Sequence, residues 1–235
     1  MKPLALLCAA ICLVAPTLSA GGVRKVTNGE WTVNWDDKNA WATRSGSAKR
    51  VPIYTGNSTE AEAKSNDGNW SEESYAMRSI VGSCVSFQET TYSEGGAHPS
   101  SRVIFRTRIP GHKEDVKLTD IFPESALVAA LLADGVIAKA RTTQTAVSDL
   151  KALCEQLDGG CEMELSYDVL NQSFVFHHVE GGKVAIRIGV PHGCEVARGK
   201  FTQLGLLLPI PPALMDDLAD AEQGHVLATH LKAKK

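Results

Sequence analysis

The sequence predicts an α+β protein: an antiparallel β-sheet, made of a hairpin plus a meander, with two helices packed on one face. Three observations carry that expectation. Apolar and polar residues alternate on both sides of the turn-rich stretch 93–101, the mark of a hairpin. Alternation returns between Met163 and Leu208, interrupted by short Asn- and Gly-containing turns, as in a meander with one covered face. Between the two lies an alanine- and leucine-rich stretch of helical character.

The chain begins with Met1-Lys2-Pro3, the apolar run Leu4 to Val14 and a small residue at Ala20. A positive start, an apolar core of this length and a small residue at the cut predict a secretory signal peptide over 1–20, cleaved after Ala20. The run is too short to span a bilayer comfortably. Cys8 sits inside it rather than at its end, which argues against a lipoprotein anchor. The expected address is therefore periplasmic or secreted. Residues 21–74 follow as an irregular N-terminal region with one short strand, where Trp31, Val33 and Trp35 alternate.

An α+β domain is expected over 75–212. Its hairpin runs from Val81, Val85 and Phe87 to Tyr92, and back through Val103, Phe105, Thr107 and Ile109. Pro123 suits the first turn of a helix over 124–140. A second helix over 146–157 places Ala146, Leu150, Leu153 and Leu157 on one face, and Gly159-Gly160 stops it. Strands are expected at Met163–Val169, Phe174–Val179, Val184–Val190 and Phe201–Leu208. The tail 213–235 ends in lysines and reads as solvated.

Composition narrows the function classes. The 235 residues are 43% hydrophobic and 22% charged, which excludes a disordered, collagenous or coiled-coil chain. A formal charge of −3 argues against a general nucleic-acid binder. Without the leader, four cysteines remain: Cys84, Cys154, Cys161 and Cys194. An even count in an oxidising compartment reads as two disulfides with three possible pairings. The glycine turn between Cys154 and Cys161 favours a local bridge there, leaving Cys84 for Cys194. Without C-x-x-C or a His pair at helical spacing, zinc is disfavoured.

The common catalytic motifs are absent: no G-x-S-x-G, phosphate loop, dinucleotide fingerprint or H-E-x-x-H occurs. Asp36-Asp37 reads as a loop. Glu162 and Glu164 share the outer face of the expected strand. Alternation sends the adjacent His177 and His178 to opposite faces, so they should not share a metal. Sequons stand at Asn57, Asn69 and Asn171. No cofactor is expected. The motif that stands out is Glu94-Gly95-Gly96-Ala97-His98-Pro99. Its glycines permit backbone angles closed to other residues, proline fixes the exit, and His98 is the one bulky side chain presented.

The stretch Tyr92 to Phe122 holds Gly95-Gly96-Ala97-His98-Pro99, a strand, and then Leu118-Thr119-Asp120-Ile121-Phe122 before a helix. It resembles the extracellular domain of unknown function in RsiV-like anti-sigma factors, over about 75–212. The sequence departs from that family at Pro191–Gly199, where members carry a tyrosine- and alanine-rich stretch. The resemblance implies binding rather than catalysis, since RsiV-like ectodomains occupy the cleft of lysozyme. The expected partner is therefore a protein, a lysozyme-type peptidoglycan hydrolase, captured or inhibited by an exported domain in an inhibitor or immunity role. The alternative is an envelope enzyme or accessory protein acting on cell-wall polysaccharide. The expected contact residues are Glu89, Glu94, Gly95, Gly96, Ala97, His98 and Pro99. Charge supports this placement: residues 51–100 hold two basic and seven acidic side chains. An acidic surface steers a basic partner toward it.

Overall fold

The computed structural model describes residues 23–36, 38–56, 70–94 and 99–231. Antiparallel sheets dominate, with six α-helices among the described residues rather than two. The class is α+β.

The described residues between Arg24 and Thr55 are more regular than their polarity suggests. They form a four-stranded meander of β1 (Arg24–Asn28), β2 (Trp31–Trp35), β3 (Asn39–Arg44) and β4 (Arg50–Thr55). Each strand is only five or six residues long, and buries alternate small or aromatic side chains such as Val33, Trp35, Ala40, Ala42 and Ile53. Asp36 closes the turn between β2 and β3, where its carboxylate accepts from the backbone N–H groups of Lys38 (2.7 Å) and Asn39 (2.6 Å). That turn role accounts for the aspartate without any chemistry.

The second sheet is the expected hairpin with a strand added in front. It comprises β5 (Trp70–Val81), β6 (Cys84–Glu94) and β7 (Ser100–Arg108), in that order. Gly82, at φ +53°, supplies the left-handed residue of the two-residue β5–β6 turn. The third sheet, ordered β10-β9-β8, holds β8 (Phe174–Glu180), β9 (Lys183–Pro191) and β10 (Phe201–Pro209), close to the expected boundaries.

The second and third sheets pack on each other, with β8 meeting β5, β6 and β7. Buried hydroxyls join them. Thr107 Oγ1 donates to the Phe174 carbonyl (2.7 Å) and is itself bonded to Ser86 Oγ (2.9 Å). Ser79 Oγ accepts from Phe176 N–H (3.2 Å). Ser173 Oγ accepts from Phe105 N–H (3.1 Å) and donates to the Gly189 carbonyl (2.5 Å). Gly189 has no room for a side chain, because a Cβ would fall within 3 Å of the Phe105 and Phe201 rings.

The helical connection between β7 and β8 differs most from expectation. The helix predicted over 124–140 is two helices, α2 (Glu124–Ala133) and α3 (Gly135–Ala140), preceded by the single turn α1 (Leu118–Ile121). Asp134 makes the break. Its backbone is extended and its carboxylate caps the N–H groups of Val136 (2.8 Å) and Ile137 (3.3 Å). The second predicted helix contracts to α4 (Leu150–Cys154), because Asp149 caps the Ala152 N–H (2.8 Å) and delays the start.

The strand expected at Met163–Val169 is not formed. Ser166 instead accepts from Val169 N–H (3.3 Å) and starts α5 (Tyr167–Gln172). Asn171 on α5 is fully buried. Its amide accepts from Thr119 N–H (3.0 Å) and donates to Thr119 Oγ1 (3.1 Å), which ties α5 to α1. The Asn171 sequon is therefore closed to glycosylation in the folded chain; Asn57 and Asn69 lie outside the described residues.

Residues 213–231 are part of the core rather than a solvated tail. Helix α6 (Met215–Gln223) and the turn after it bury Leu218, Ala221, Val226 and Leu227. The Val226 carbonyl accepts from Ile80 N–H (2.9 Å), and Ala228 N–H donates to the Phe176 carbonyl (3.0 Å).

The cysteine pairing also differs. Cys161 bonds to Cys194, with Cα atoms 4.9 Å apart, while Cys84 and Cys154 are free thiols. Glycine explains the choice. Gly193 packs so closely on 160–163 that a Cβ there would sit 2.5 Å from the Gly160 carbonyl, and its N–H donates to the Cys161 carbonyl (3.0 Å). The neighbouring residue 194 is thereby delivered to Cys161, and Cys154 stays on α4. Burial pushes the Cys84 thiol up to about 12, helped by the charge of Asp217, and the Cys154 thiol up to about 11.

Two outcomes are expected. Peptide mapping of the oxidised protein should recover Cys161 linked to Cys194, with Cys154 as a free thiol and Cys84 alkylated only after unfolding; opening that bridge should cost about 3–4 kcal/mol of stability by loop entropy. Ser173→Ala orphans the Phe105 N–H and the Gly189 carbonyl, so denaturant titration should show a loss of about 2–4 kcal/mol.

Candidate functional site

The β5–β6 ladder pairs Trp70 with Glu94 at one end and Val81 with Cys84 at the other. Its eleven-residue strand β6 is about 37 Å long at the usual rise per residue. Only the half near Val81 and Cys84 is buried in the core; in the distal half Gln88 to Ser93 are half-buried, and residues 71–74 and Glu94 are exposed. Register decides which side chains share a face. Glu72 lies opposite Tyr92, so Glu72, Tyr92 and Glu94 stand on one face of the distal half. The Tyr92 hydroxyl donates to Glu94 (2.8 Å). Glu73 is on the other face and accepts from the Tyr75 hydroxyl (2.8 Å). Burial and the Glu73 carboxylate hold the Tyr75 phenol above its ordinary range.

The expected contact residues divide three ways. Glu94 and Pro99 are exposed at the distal end, where β6 stops and β7 is about to start. Gly95, Gly96, Ala97 and His98 lie outside the described residues. Glu89 is built into an internal charge ladder. Arg106 reaches it through Nε (3.1 Å) and Nη2 (3.3 Å), and holds Asp115 through Nη1 (2.7 Å). Asp115 in turn accepts from Arg108 Nε (2.8 Å). Burial alone would make Arg106 give up its proton more readily, but its bonds to Glu89 and Asp115 reverse that and hold it charged. Two acids and two arginines leave no net charge here, so Glu89 adds little to an acidic surface.

The same ladder attaches the N-terminal sheet. Arg108 Nη1 donates to the Ile53 carbonyl (3.1 Å), and its guanidinium sits 5.3 Å over the Phe87 ring. Tyr54 stacks on Tyr75 with centroids 4.7 Å apart. A cleft of about 410 Å³ opens beside this joint, lined by Tyr54, Tyr75, Glu89, Arg108, His112 and Lys113. Arg106, Arg108 and Asp115 had no motif to single them out. Only the alternation of Arg106 and Arg108 along one strand hints that both point the same way.

The distal end of the hairpin is braced from the side by the disulfide loop. His192 faces the carbonyl oxygens of Cys194 through Nδ1 (2.7 Å) and of Ser101, the second residue of β7, through Nε2 (2.6 Å). Arg102 pairs with Glu164 (2.7 Å) and Lys200 with Glu162 (2.5 Å). The two glutamates thus serve separate partners rather than forming a carboxylate pair. Val196, 90% exposed, projects from this loop. The Leu118-Thr119-Asp120-Ile121-Phe122 segment, by contrast, is structural: Leu118 and Phe122 are buried and Thr119 is held by Asn171.

What this arrangement offers is recognition by charge and hydrogen bonds. No group of three or more His, Cys, Asp or Glu side chains among the described residues is placed to hold a metal. No helix among them is long and apolar enough to cross a membrane. Comparison with family models, with curated proteins and with solved structures finds no match.

Arg106→Ala should leave Glu89 without its cation and Asp115 with Arg108 alone at the sheet joint. A stability loss of about 2–4 kcal/mol is expected by denaturant titration, larger than for a surface pair.

Proposed function

We propose that the protein is an exported binding protein that captures a cell-wall hydrolase of the lysozyme type and inhibits it by capture. The observation that carries this reading is the distal half of the β5–β6 ladder, where Glu72, Glu73 and Glu94 are exposed beyond the core. Glu72 and Glu94 share a face with Tyr92, a combination of carboxylates and an aromatic suited to a basic protein surface. The contact surface is Glu94 and Gly95 to Pro99, joined by Glu72. Glu89 supports it from below through Arg106. The resemblance of the 92–122 stretch to RsiV-like ectodomains supports the choice of partner. The apolar leader and the Cys161–Cys194 bridge support an oxidising periplasmic or extracellular address.

The test is binding and inhibition across a panel of wall hydrolases that includes lysozyme-type muramidases. One-to-one binding with loss of muramidase turnover is expected. Glu72→Lys with Glu94→Lys should slow association at least tenfold at low salt and much less at high salt, measured by surface plasmon resonance. Absence of binding to every member of the panel would overturn the reading.

A further inference from the structure

His177 and His178 do not point to opposite faces of β8, as simple alternation requires. Phe176 pairs with Ile186 and His178 with Ala185, so two steps along β8 match one step along β9. His177 is the extra residue of a β-bulge. A bulge of this kind sets two successive side chains side by side over one partner residue. The result is a pair of imidazoles with Nδ1 atoms 2.7 Å apart and ring planes at 75°. The backbone that carries them is fixed from the other edge, where Thr229 N–H donates to the His177 carbonyl (3.1 Å).

The tautomers follow from the neighbours. His178 Nε2 lies 3.3 Å from a Glu180 carboxylate oxygen, which places a proton on Nε2 and leaves Nδ1 as a bare lone pair. His177 must then supply the proton of the Nδ1···Nδ1 bond. An imidazole whose far N–H is held by a carboxylate, with its near nitrogen directed at a second imidazole, is the arrangement found behind metal-bound histidines. Two imidazole nitrogens on one ion at 2.0–2.1 Å stand about 2.9–3.4 Å apart for angles between 90° and tetrahedral. The pair therefore needs to open by about 0.2–0.7 Å, with each ring tipping its lone pair about 35–45° off the line between them.

We infer that His177 and His178 form a two-imidazole site for a divalent transition ion of the Zn²⁺ or Cu²⁺ class, with Glu180 as the carboxylate behind His178. The ion takes the place of the shared proton, and that proton moves to Nε2 of His177. Imidazole nitrogen selects this class over Mg²⁺ or Ca²⁺, which prefer oxygen. The remaining positions on the ion are left to water or to a ligand from outside. His178 is about one-third exposed, so an ion reaches the site without unfolding. Arg187 is the cation that opposes it: its guanidinium lies across Gly205 on β10, and its charge acts on His177. The site is independent of the hydrolase reading.

The test is a competition titration with Zn²⁺ alone and with Cu²⁺ alone, on chain carrying Cys154→Ser so that the half-buried thiol cannot take the ion. One ion per chain is expected, with two nitrogen ligands near 2.0 Å by X-ray absorption and shifts of both imidazoles by NMR. His178→Ala should abolish binding, and Glu180→Gln should weaken it at least tenfold. His225→Gln with His230→Gln, which removes the other edge-to-face histidine pair, should leave it unchanged. Circular dichroism of each variant separates loss of the site from loss of the fold. Glu180, being exposed, keeps the test open should His178→Ala fail to fold. No ion bound by the folded protein, binding unchanged in His178→Ala, or binding that follows His225 and His230 would overturn the assignment.

Discussion

The packing of the two three-stranded sheets depends on hydroxyls that have no water to bond to. Ser79, Ser86, Thr107 and Ser173 are all buried where β5–β7 meet β8–β9. Three of them fill orphans left by strand edges that come together without forming a ladder, Ser79 the N–H of Phe176, Thr107 the carbonyl of Phe174 and Ser173 the N–H of Phe105, while Ser86 bonds to the Thr107 hydroxyl. Such groups left bare in a core cost about 1–3 kcal/mol apiece, so the sheets hold this crossing only because small hydroxylated side chains stand at these positions. An apolar residue would fit the volume and lose the bonds. The close approach at Gly189 belongs to the same constraint, since the Phe105 and Phe201 rings occupy the space a side chain would need.

Strands with strong alternation and clear turns were legible in the sequence, and β6 to β10 fall close to where the pattern puts them. What was not legible has definite causes. Strands β1, β3 and β4 are short, and their exposed faces carry Lys, Asn, Arg and Thr, so too few residues repeat to reveal the period. Residues 163–169 alternate convincingly, yet Ser166 offers its hydroxyl to Val169 and a helix starts there; a single local cap outweighs the pattern. Asp134 and Asp149 act likewise on the two predicted helices. Both signals were present as Asp-Gly and Ser-Asp, and both were overridden by the length of the apolar run. Helix α6 leaves little pattern in the sequence, because only Leu218 and Ala221 mark its inner face, among acidic neighbours.

The candidate surface was legible as composition and less so as geometry. The acidic balance of 51–100 counted Glu89 with Glu72, Glu73 and Glu94, but a strand separates its faces and its ends. Glu89 lies where Arg106 can reach it, whereas Glu72, Glu73 and Glu94 lie past the last core residues. Charge along the sequence therefore overstated the surface by the part that neutralises itself. The histidines show the opposite error. Alternation denied His177 and His178 a common side, and one inserted residue at Phe176–His178 restored it. Bulges leave no trace in composition, so no reading of types and spacings could have found that pair.

The docking of the last helix carries a consequence for the order in which the chain can assemble. Ile80 in β5 is bonded to Val226, and Phe176 in β8 to Ala228. Asn28, at the end of β1, donates to the Ile80 carbonyl that sits beside them. The beginning, the middle and the end of the described chain thus share one neighbourhood, and loops of well over a hundred residues must close before it is filled. Contacts of such sequence separation slow folding and favour transient species with open strands. A chain wired this way cannot finish its core while its later residues are still being made or moved. It stays loose until they arrive, and then closes as a unit.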